Sequence, residues 1–498
     1  MDARHIAVID VGKTNKKVLI FDDRLKIVDG AYRTFDEYTE DGVHYEDVDG
    51  AFAWFKEQLT TFAASYPIRT VSVTTHGATA VCIDHEGKRA APVVAYTTPA
   101  DQAFREEFFE TFGSPEELQR TTATAEIGDM INIAKVLFFI KKRCPESFAR
   151  IATVLNYPQY IGYLLTGSVG AEPTYIGCHT YLFDFENKKS SSVAAKLGVK
   201  DKLPSTIAAP WDVLGRITPT IARQTNLSPE CIVTMGIHDS NASLLPYLVK
   251  GYDDFVLNST GTWCVAMHPT DKVKFEADEL GKLVFYNLDA FSNPVKTSIF
   301  MGGLEFQTYS ALLEKINGSG VRPTFDPSLY QKIISERRKF ILPSVVRGTG
   351  IFPDSAPKVI DEGGVFDLED IRSGKSIPGF FEDHSIAQAA LELSLALQTR
   401  AALELIGYDG KGTIVTEGGW RKDKAYNALM AALYPESKLV TTDLAEATAF
   451  GAAILGKAAL EGTTPMNTAD QFEIRTEAVE RPNLTGLEEY AEAFAEKL

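Results

Sequence analysis

Apolar runs that stop at small or acidic turns recur along this chain, and their spacing predicts its elements. Residues 5–10 form the first run, a strand opening onto Val11-Gly12-Lys13-Thr14-Asn15. A second strand, 18–21, follows at hairpin distance, and a third covers 26–28. Residues 51–64 have helical spacing, and 69–75 and 81–84 read as strands flanking His76-Gly77. Residues 129–142 return to a helical period and lead into Lys141, Lys142 and Arg143, charges suited to a helix C-terminus. Another strand and a short helix fall within 151–170. The strand 232–235 ends in Gly236, and a polar turn with His238 and Asp239 leads into an apolar helix, 242–249. A strand over 255–258 then runs into the small-residue turn Ser259-Thr260-Gly261-Thr262.

Past residue 250 the pattern restarts. Strands are predicted at 283–288 and 294–300, and a helix at 304–316. The Gly- and Pro-rich stretch 317–364 reads as loop. A long helix covers 385–405, a strand 413–416, a helix 423–434, and a final turn and helix 441–456. Each half places strands before helices, so two similarly built α/β domains are expected, 1–248 and 249–462, with an acidic, weakly patterned tail, 463–498, of unclear role. The opening strand–turn–strand differs from a dinucleotide-binding fold, in which the first strand feeds a helix.

Charge narrows the partners. A net charge of −17 over 498 residues argues against nucleic-acid backbones and anionic membranes, both of which are gripped by Lys and Arg. No apolar run approaches the roughly 18 residues that span a bilayer, and the N-terminus lacks a basic head before a long apolar core. The five cysteines are scattered without a CxxC pair, which fits reduced thiols and a cytoplasmic setting.

The turns carry the candidate chemistry. In Asp10-Val11-Gly12-Lys13-Thr14-Asn15-Lys16-Lys17, glycine allows close approach to a polyphosphate, Thr14 and Asn15 offer donors, and the lysines offer charge. An acid beside phosphates makes sense as a holder of Mg²⁺ through water, the role assigned to Asp10. The same residues also suit a plain hairpin with an Asx-type turn. Asp239 is placed to accept a proton from a sugar hydroxyl as its oxygen attacks phosphorus. It also suits the N-cap of the following helix, and the two roles can coexist. Ser259–Thr262 is a second phosphate-type turn. Thr416-Glu417-Gly418-Gly419-Trp420 offers bare backbone against a flat base, or an ordinary strand-to-helix turn. Other nucleotide motifs fare worse: Ser373-Gly374-Lys375-Ser376 lacks the first glycine of a P-loop, because Glu369 stands there.

In that order, these turns resemble the FGGY carbohydrate kinases of the actin-like ATPase superfamily, over about residues 4–460. Residues 236–243 are similar to the base-bearing turn of the rhamnulose and fuculose kinase branch. Residues 258–263 are similar to its second phosphate loop, and 76–96 and 300–307 share its character. The resemblance implies an α/β fold of two actin-like (ribonuclease H-like) ATPase domains around an interdomain cleft, in which residues 10 and 239 face one another across the crevice. It implies Asp239 as general base; Lys13, Thr14, Asn15, Lys16, Lys17 and Thr262 on the ATP phosphates; and Gln307, Gly418 and Gly419 near the nucleotide. His76, Gly77, His238 and Ser240 fall near the sugar.

The implied reaction uses ATP and Mg²⁺ to phosphorylate the C1 hydroxyl of a 6-deoxyketohexose such as L-rhamnulose or L-fuculose. The alternatives are a pentulose such as xylulose or ribulose, a nucleotide-operated interaction protein, or a silent sugar sensor. A homodimer is the implied assembly, with no interface localised. The chain departs from the family at Thr97, Thr98, Pro99 and Ala100, where an Asp and an Arg are common. It departs again at Gln159, at Ile299, and at Glu417, which replaces the first of three glycines.

Overall fold

The computed structural model describes residues 4–318, 324–346 and 350–498. Two seven-stranded sheets organise it. The first contains β1 (His5–Val11), β2 (Asn15–Phe21), β3 (Ile27–Thr34), β4 (Ile68–Thr75), β5 (Val213–Arg216), β6 (Ile232–Thr234) and the short β7 (Ile237–His238). Its order is β5-β6-β4-β1-β2-β3, with β7 also on β4. Strands β1, β6 and β7 run parallel to β4, whereas β2 is antiparallel to both β1 and β3.

Alternation along β1 separates two apolar layers. Ala7, Ile9 and Val11 pack with Trp54, Phe55 and Leu59 of α1 (Val48–Ala63). Ile6 and Val8 face the other way, together with Leu19 and Phe21 of β2. Asp10 shares the parity of Ile6 and Val8, so its carboxylate points into that second layer.

The second layer consists of two helices. One is α2 (Asp239–Val249), which follows β7 directly; the other is α4 (Ala447–Glu461), contributed by the far end of the chain. Ala242, Leu245, Ala449 and Phe450 close over Ile6 and Val8. The helices meet backbone to backbone, since a Cβ built on Gly451 would lie 1.9 Å from the Ala242 carbonyl oxygen. The opposite side of α2 presents Leu244 and Tyr247 to the second sheet.

That sheet contains β8 (Phe255–Thr260), β9 (Cys264–Pro269), β10 (Val284–Leu288), β11 (Pro294–Phe300), β12 (Thr413–Gly418), β13 (Lys438–Thr442) and β14 (Thr476–Ala478), in the order β10-β11-β9-β8-β12-β13-β14. The helix α3 (Gly302–Asn317) follows β11. The division expected at 248/249 falls in the last turn of α2, and α4 seals the first sheet although it comes from the second half.

Three expectations are corrected. The stretch 463–498 is no loose tail: β14 pairs with β13, and the helix Leu487–Ala495 buries Leu487, Tyr490 and Phe494 in the second core. Its apolar residues are dispersed among acids, which hid them. The presumed loop 317–364 holds the helix Pro327–Glu336 and the three-stranded sheet Phe340–Ile341, Lys358–Asp361 and Gly364–Asp367; within it, 319–323 and 347–349 lie outside the described residues. The helix expected from 129 begins at Ile133, capped by Asn132. All five cysteines are free, and no helix among the described residues is long and apolar enough to cross a membrane.

Candidate active site

Between the two sheets lies a cavity of about 260 Å³. Its first-sheet side is polar, with His76, Gly77, Tyr96, His238, Asp239 and Ser240. Its second-sheet side brings Ser259, Thr260 and Gly261 from the end of β8, and Thr448 from the start of α4. A third, apolar wall is made by Ile131, Trp263, Val265, Phe285 and Ile299.

The topology explains how distant residues meet here. β1, β4 and β7 are parallel neighbours, so their C-terminal ends lie together: Asp10 is in register with Thr74, and His238 with Thr75. Asp10 and Asp239 therefore stand side by side across β4, about two strand spacings (~10 Å) apart. This corrects the expectation that they face each other across the crevice. Both belong to its first-sheet side, and the second sheet supplies the opposing turn.

Asp239 occupies the first position of α2, and the cap position is His238, so the expected N-cap shifts by one residue. Its Oδ1 accepts from its neighbour Ser240, at 2.6 Å from the backbone N–H and 3.3 Å from the hydroxyl. Desolvation by the cavity walls raises the carboxyl to about 6, against the pull of Ser240 and of the Lys17 charge. The side chain keeps 27% exposure, so it remains reachable from the cavity.

His238 is locked from several sides. Its N–H donates to Thr174 Oγ1 at 3.0 Å, and Asn241 Nδ2 donates to Nδ1 at 3.2 Å. That leaves the ring proton on Nε2, which lies 3.6 Å from its hydrogen-bond partner Cys178 Sγ and 3.3 Å from Asp239 Oδ1. Burial lowers its pKa to about 3, so the ring is neutral. Burial likewise lowers His76 to about 4, and that ring packs edge-on against Tyr96 and Tyr157.

The lysines of the first turn divide. Lys16 is 2% exposed, and its ammonium donates to the carbonyls of Gly12 and Lys13 at 3.0 and 2.7 Å. It braces the turn from beneath, which corrects its expected place on ATP phosphates. Lys13 pairs with Glu37 and Glu46 and lies 4.4 Å above the ring of Tyr96, which lines the cavity. Lys17 pairs with Glu446 at 2.7 Å and with Asp10 at 3.4 Å, and those carboxylates raise its pKa to about 12 despite burial. Thr14 and Asn15 are exposed at the tip of the turn.

Asp10 is 2% exposed. Its Oδ2 accepts from Thr448 Oγ1 at 2.7 Å as well as from Lys17. Burial raises its pKa, Lys17 and Thr448 lower it, and the charge of Asp239 raises it further, so the two carboxylates feel each other.

On the second-sheet side, β8 runs two residues further than expected, to Thr260, and Thr262 is exposed just beyond it. α3 begins against this turn, where a Cβ on Gly303 would lie 1.9 Å from Gly261 O; Gln307, one turn on, is exposed. Gly418 has φ +77°, and a Cβ there would meet Thr260 O at 1.9 Å. The two turns, 259–262 and 418–419, are thus packed backbone on backbone.

Sequence reasoning missed Glu46, His179, Glu446 and Thr448. Burial pushes the Glu46 carboxyl up, but His76, Lys13 and Lys16 more than offset that and lower it. His179 stands half-buried on the cavity wall, its ring 4.7 Å from that of Phe285. Glu46 follows only a three-residue strand, Val43–Tyr45, and Glu446 and Thr448 follow the mostly polar β13, so no apolar run announces them.

A polar cavity held between two like sheets, with a desolvated carboxylate on its floor, defines a bilobed class of α/β protein, and comparison with known proteins places the chain within it. A model of the N-terminal domain of the FGGY family of carbohydrate kinases matches residues 5–246, and one of the carbohydrate kinase FGGY C-terminal domain matches 253–465. The chain belongs to the FGGY carbohydrate kinase family.

A rhamnulokinase of Halalkalibacterium halodurans is 24% identical over 259 residues, which is 51% of this chain and 54% of that protein. A probable L-xylulose kinase of Pasteurella multocida is 26% identical over 278 residues, 53% of this chain and 56% of that protein. The matched stretch thus spans about half the length of these curated relatives. The crystal structure of a carbohydrate kinase from Novosphingobium aromaticivorans superposes with a TM-score of 0.78 at 27% identity, covering 98% of this chain and 97% of the other.

Proposed function

We propose that this chain is an ATP-dependent sugar kinase that transfers the γ-phosphoryl group to the C1 hydroxyl of a neutral ketose, with a 6-deoxyketohexose such as L-rhamnulose or L-fuculose as preferred substrate. The observation that carries this reading is Asp239: a desolvated but reachable carboxylate between a sugar-sized cavity and the two phosphate-type turns.

Asp239 takes the hydroxyl proton as the C1 oxygen bonds to phosphorus and the bond to the departing ADP oxygen breaks. His238 Nε2–H orients the carboxylate. Gly77, Ser240 and the second ring, His76, face the sugar. Thr14, Asn15 and Thr262 lie at exposed turn tips where their hydroxyl, amide and backbone N–H groups can reach phosphate oxygens. Gly418, Gly419 and Gln307 border the nucleotide, and Lys17 adds a fixed positive charge.

The residues fit Mg²⁺ as this ion is ordinarily held, by one or two carboxylates and substrate phosphates. Among the described residues no cluster of three or more acidic, His or Cys ligands exists. Asp10 is the carboxylate placed to hold the ion, through water, and the ion when bound offsets charge building on the transferring group. Asp10 stays anchored by Thr448 and Lys17 throughout.

Two features favour a neutral, partly apolar sugar. Among the described residues no Lys or Arg lines the cavity, and Lys13 behind Tyr96 is already paired with Glu37 and Glu46, which disfavours a substrate carboxylate. The wall of Ile131, Phe285 and Ile299 suits a methyl terminus better than a hydroxymethyl group. Purified protein with ATP, Mg²⁺ and a panel of ketoses, assayed for ADP formation, tests the reading. The 6-deoxyketohexoses should give the highest kcat/KM. Higher values with xylulose or ribulose would move the substrate to the pentuloses, and sugar-independent ATP hydrolysis alone would overturn the kinase.

A further inference from the structure

Asp239, Ser243 and Tyr247 recur at every fourth position of α2, so they lie along one face of that helix. Asp239 and Ser243 border the cavity. Tyr247 is fully buried at the other end of the same face, and its hydroxyl donates to Glu417 Oε1.

Glu417 immediately precedes Gly418-Gly419 and is 1% exposed. Its backbone belongs to the second-sheet turns: Thr260 Oγ1 donates to the Glu417 carbonyl, and Trp420 N–H donates to the same Oγ1 at 2.9 Å. Its side chain belongs to the base-bearing helix. The remaining oxygen, Oε2, is buried without a hydrogen-bond partner among the described residues. A half-bonded acid in an apolar interior costs stability, so packing alone gives no reason for it. Burial raises this carboxyl to about 8, in spite of Tyr247 and Arg421, so at neutral pH it is largely uncharged.

We infer that Glu417 is a positioning residue that links the nucleotide turn, through Tyr247, to the placement of the helix carrying Asp239. The inference rests on the kinase reading and goes beyond it. Nucleotide seated on Gly418-Gly419 bears on a backbone whose adjoining side chain is bonded to α2. Occupancy of one substrate site is thereby communicated to the base of the other.

Hydrogen exchange on the full chain, with and without ADP and Mg²⁺, tests this apart from turnover. In the wild type, ADP should slow exchange both at 417–421 and along 240–249. Tyr247→Phe and Glu417→Ala should keep the slowing at 417–421 and lose it along 240–249. Glu417→Gln, which keeps the accepting oxygen, should behave as wild type. With ketose and ATP, Tyr247→Phe and Glu417→Ala should each lower kcat about tenfold, and the double variant no further, since residues acting as one unit are not additive.

Slowing along 240–249 that persists in both variants would overturn the inference, as would a lowered Tm with unchanged kcat. Wild-type slowing confined to 417–421 would sink it alone and leave the kinase standing. No ADP effect and no turnover in the wild type would remove both.

Discussion

The two sheets share a plan: in space, β3-β2-β1-β4-β6-β5 corresponds to β11-β9-β8-β12-β13-β14, with the same parallel and antiparallel steps. Each opens with a hairpin, of which the second sheet's turn lines the cavity, and each sends a helix, α2 or α4, into the layer between them. What differs is the chemistry at the strand ends. The first sheet presents charge: Asp10, Lys13, Lys16 and Lys17 at its hairpin, and Asp239 at its helix. The second presents bare backbone, with Gly261 against Gly303 and Gly418 against Thr260, and a neutral Thr448 at its helix. A repeated scaffold thus carries ionisable side chains at one set of strand ends and close-packed backbone at the other.

The sharpest way to break this contrast is at the helix starts. Asp239→Asn should lower kcat by about 10²–10⁴-fold while ADP still binds, measured by steady-state kinetics and calorimetry. Thr448→Val should fall well short of that loss. Near-normal turnover in Asp239→Asn would remove the proposed base.

Glycine at the second sheet's turn comes next. Gly418→Ala places a Cβ 1.9 Å from a carbonyl oxygen at a left-handed φ of +77°, and urea unfolding should show a loss of about 2–4 kcal/mol. A loss below 1 kcal/mol would show that the turns are not tightly packed. At the first sheet's turn, Lys16→Met removes a buried ammonium from two carbonyls, and should cost about 1–3 kcal/mol in the same measurement.

A milder test uses pH. Because the Asp239 carboxyl is raised to about 6, the proton-accepting form is lost as pH falls through that value. kcat/KM for the sugar should therefore drop about tenfold per pH unit below 6. Smallest of all, Gly419→Ala meets nothing nearer than 3.9 Å, and should change stability by less than about 1 kcal/mol.

The sequence revealed the first-sheet site better than the second. β1 and β6 are apolar runs and β4 is rich in β-branched residues, all ending in distinctive turns, so their strand ends, with His76 and Asp239, were visible as local patterns. β9 was overlooked because Cys264–Pro269 follows β8 at once, beyond a tight turn, and ends in His-Pro, and β13 because Lys438–Thr442 is mostly polar. The fate of the lysines at 13 and 16 depended on Glu46 and on the turn's own carbonyls. Proximity of that kind arises from tertiary packing and leaves no spacing to read. The position of α4 under the first sheet was equally hidden, since its small residues specify a close neighbour without saying which.

Those small residues have a mechanical consequence. Where Gly451 rests on the carbonyl of Ala242, no side chain cushions the crossing, so α2 and α4 cover the first sheet as one slab. Any residue larger than glycine at 451 would have to wedge the two helices apart, and with them the floor under Ile6 and Val8.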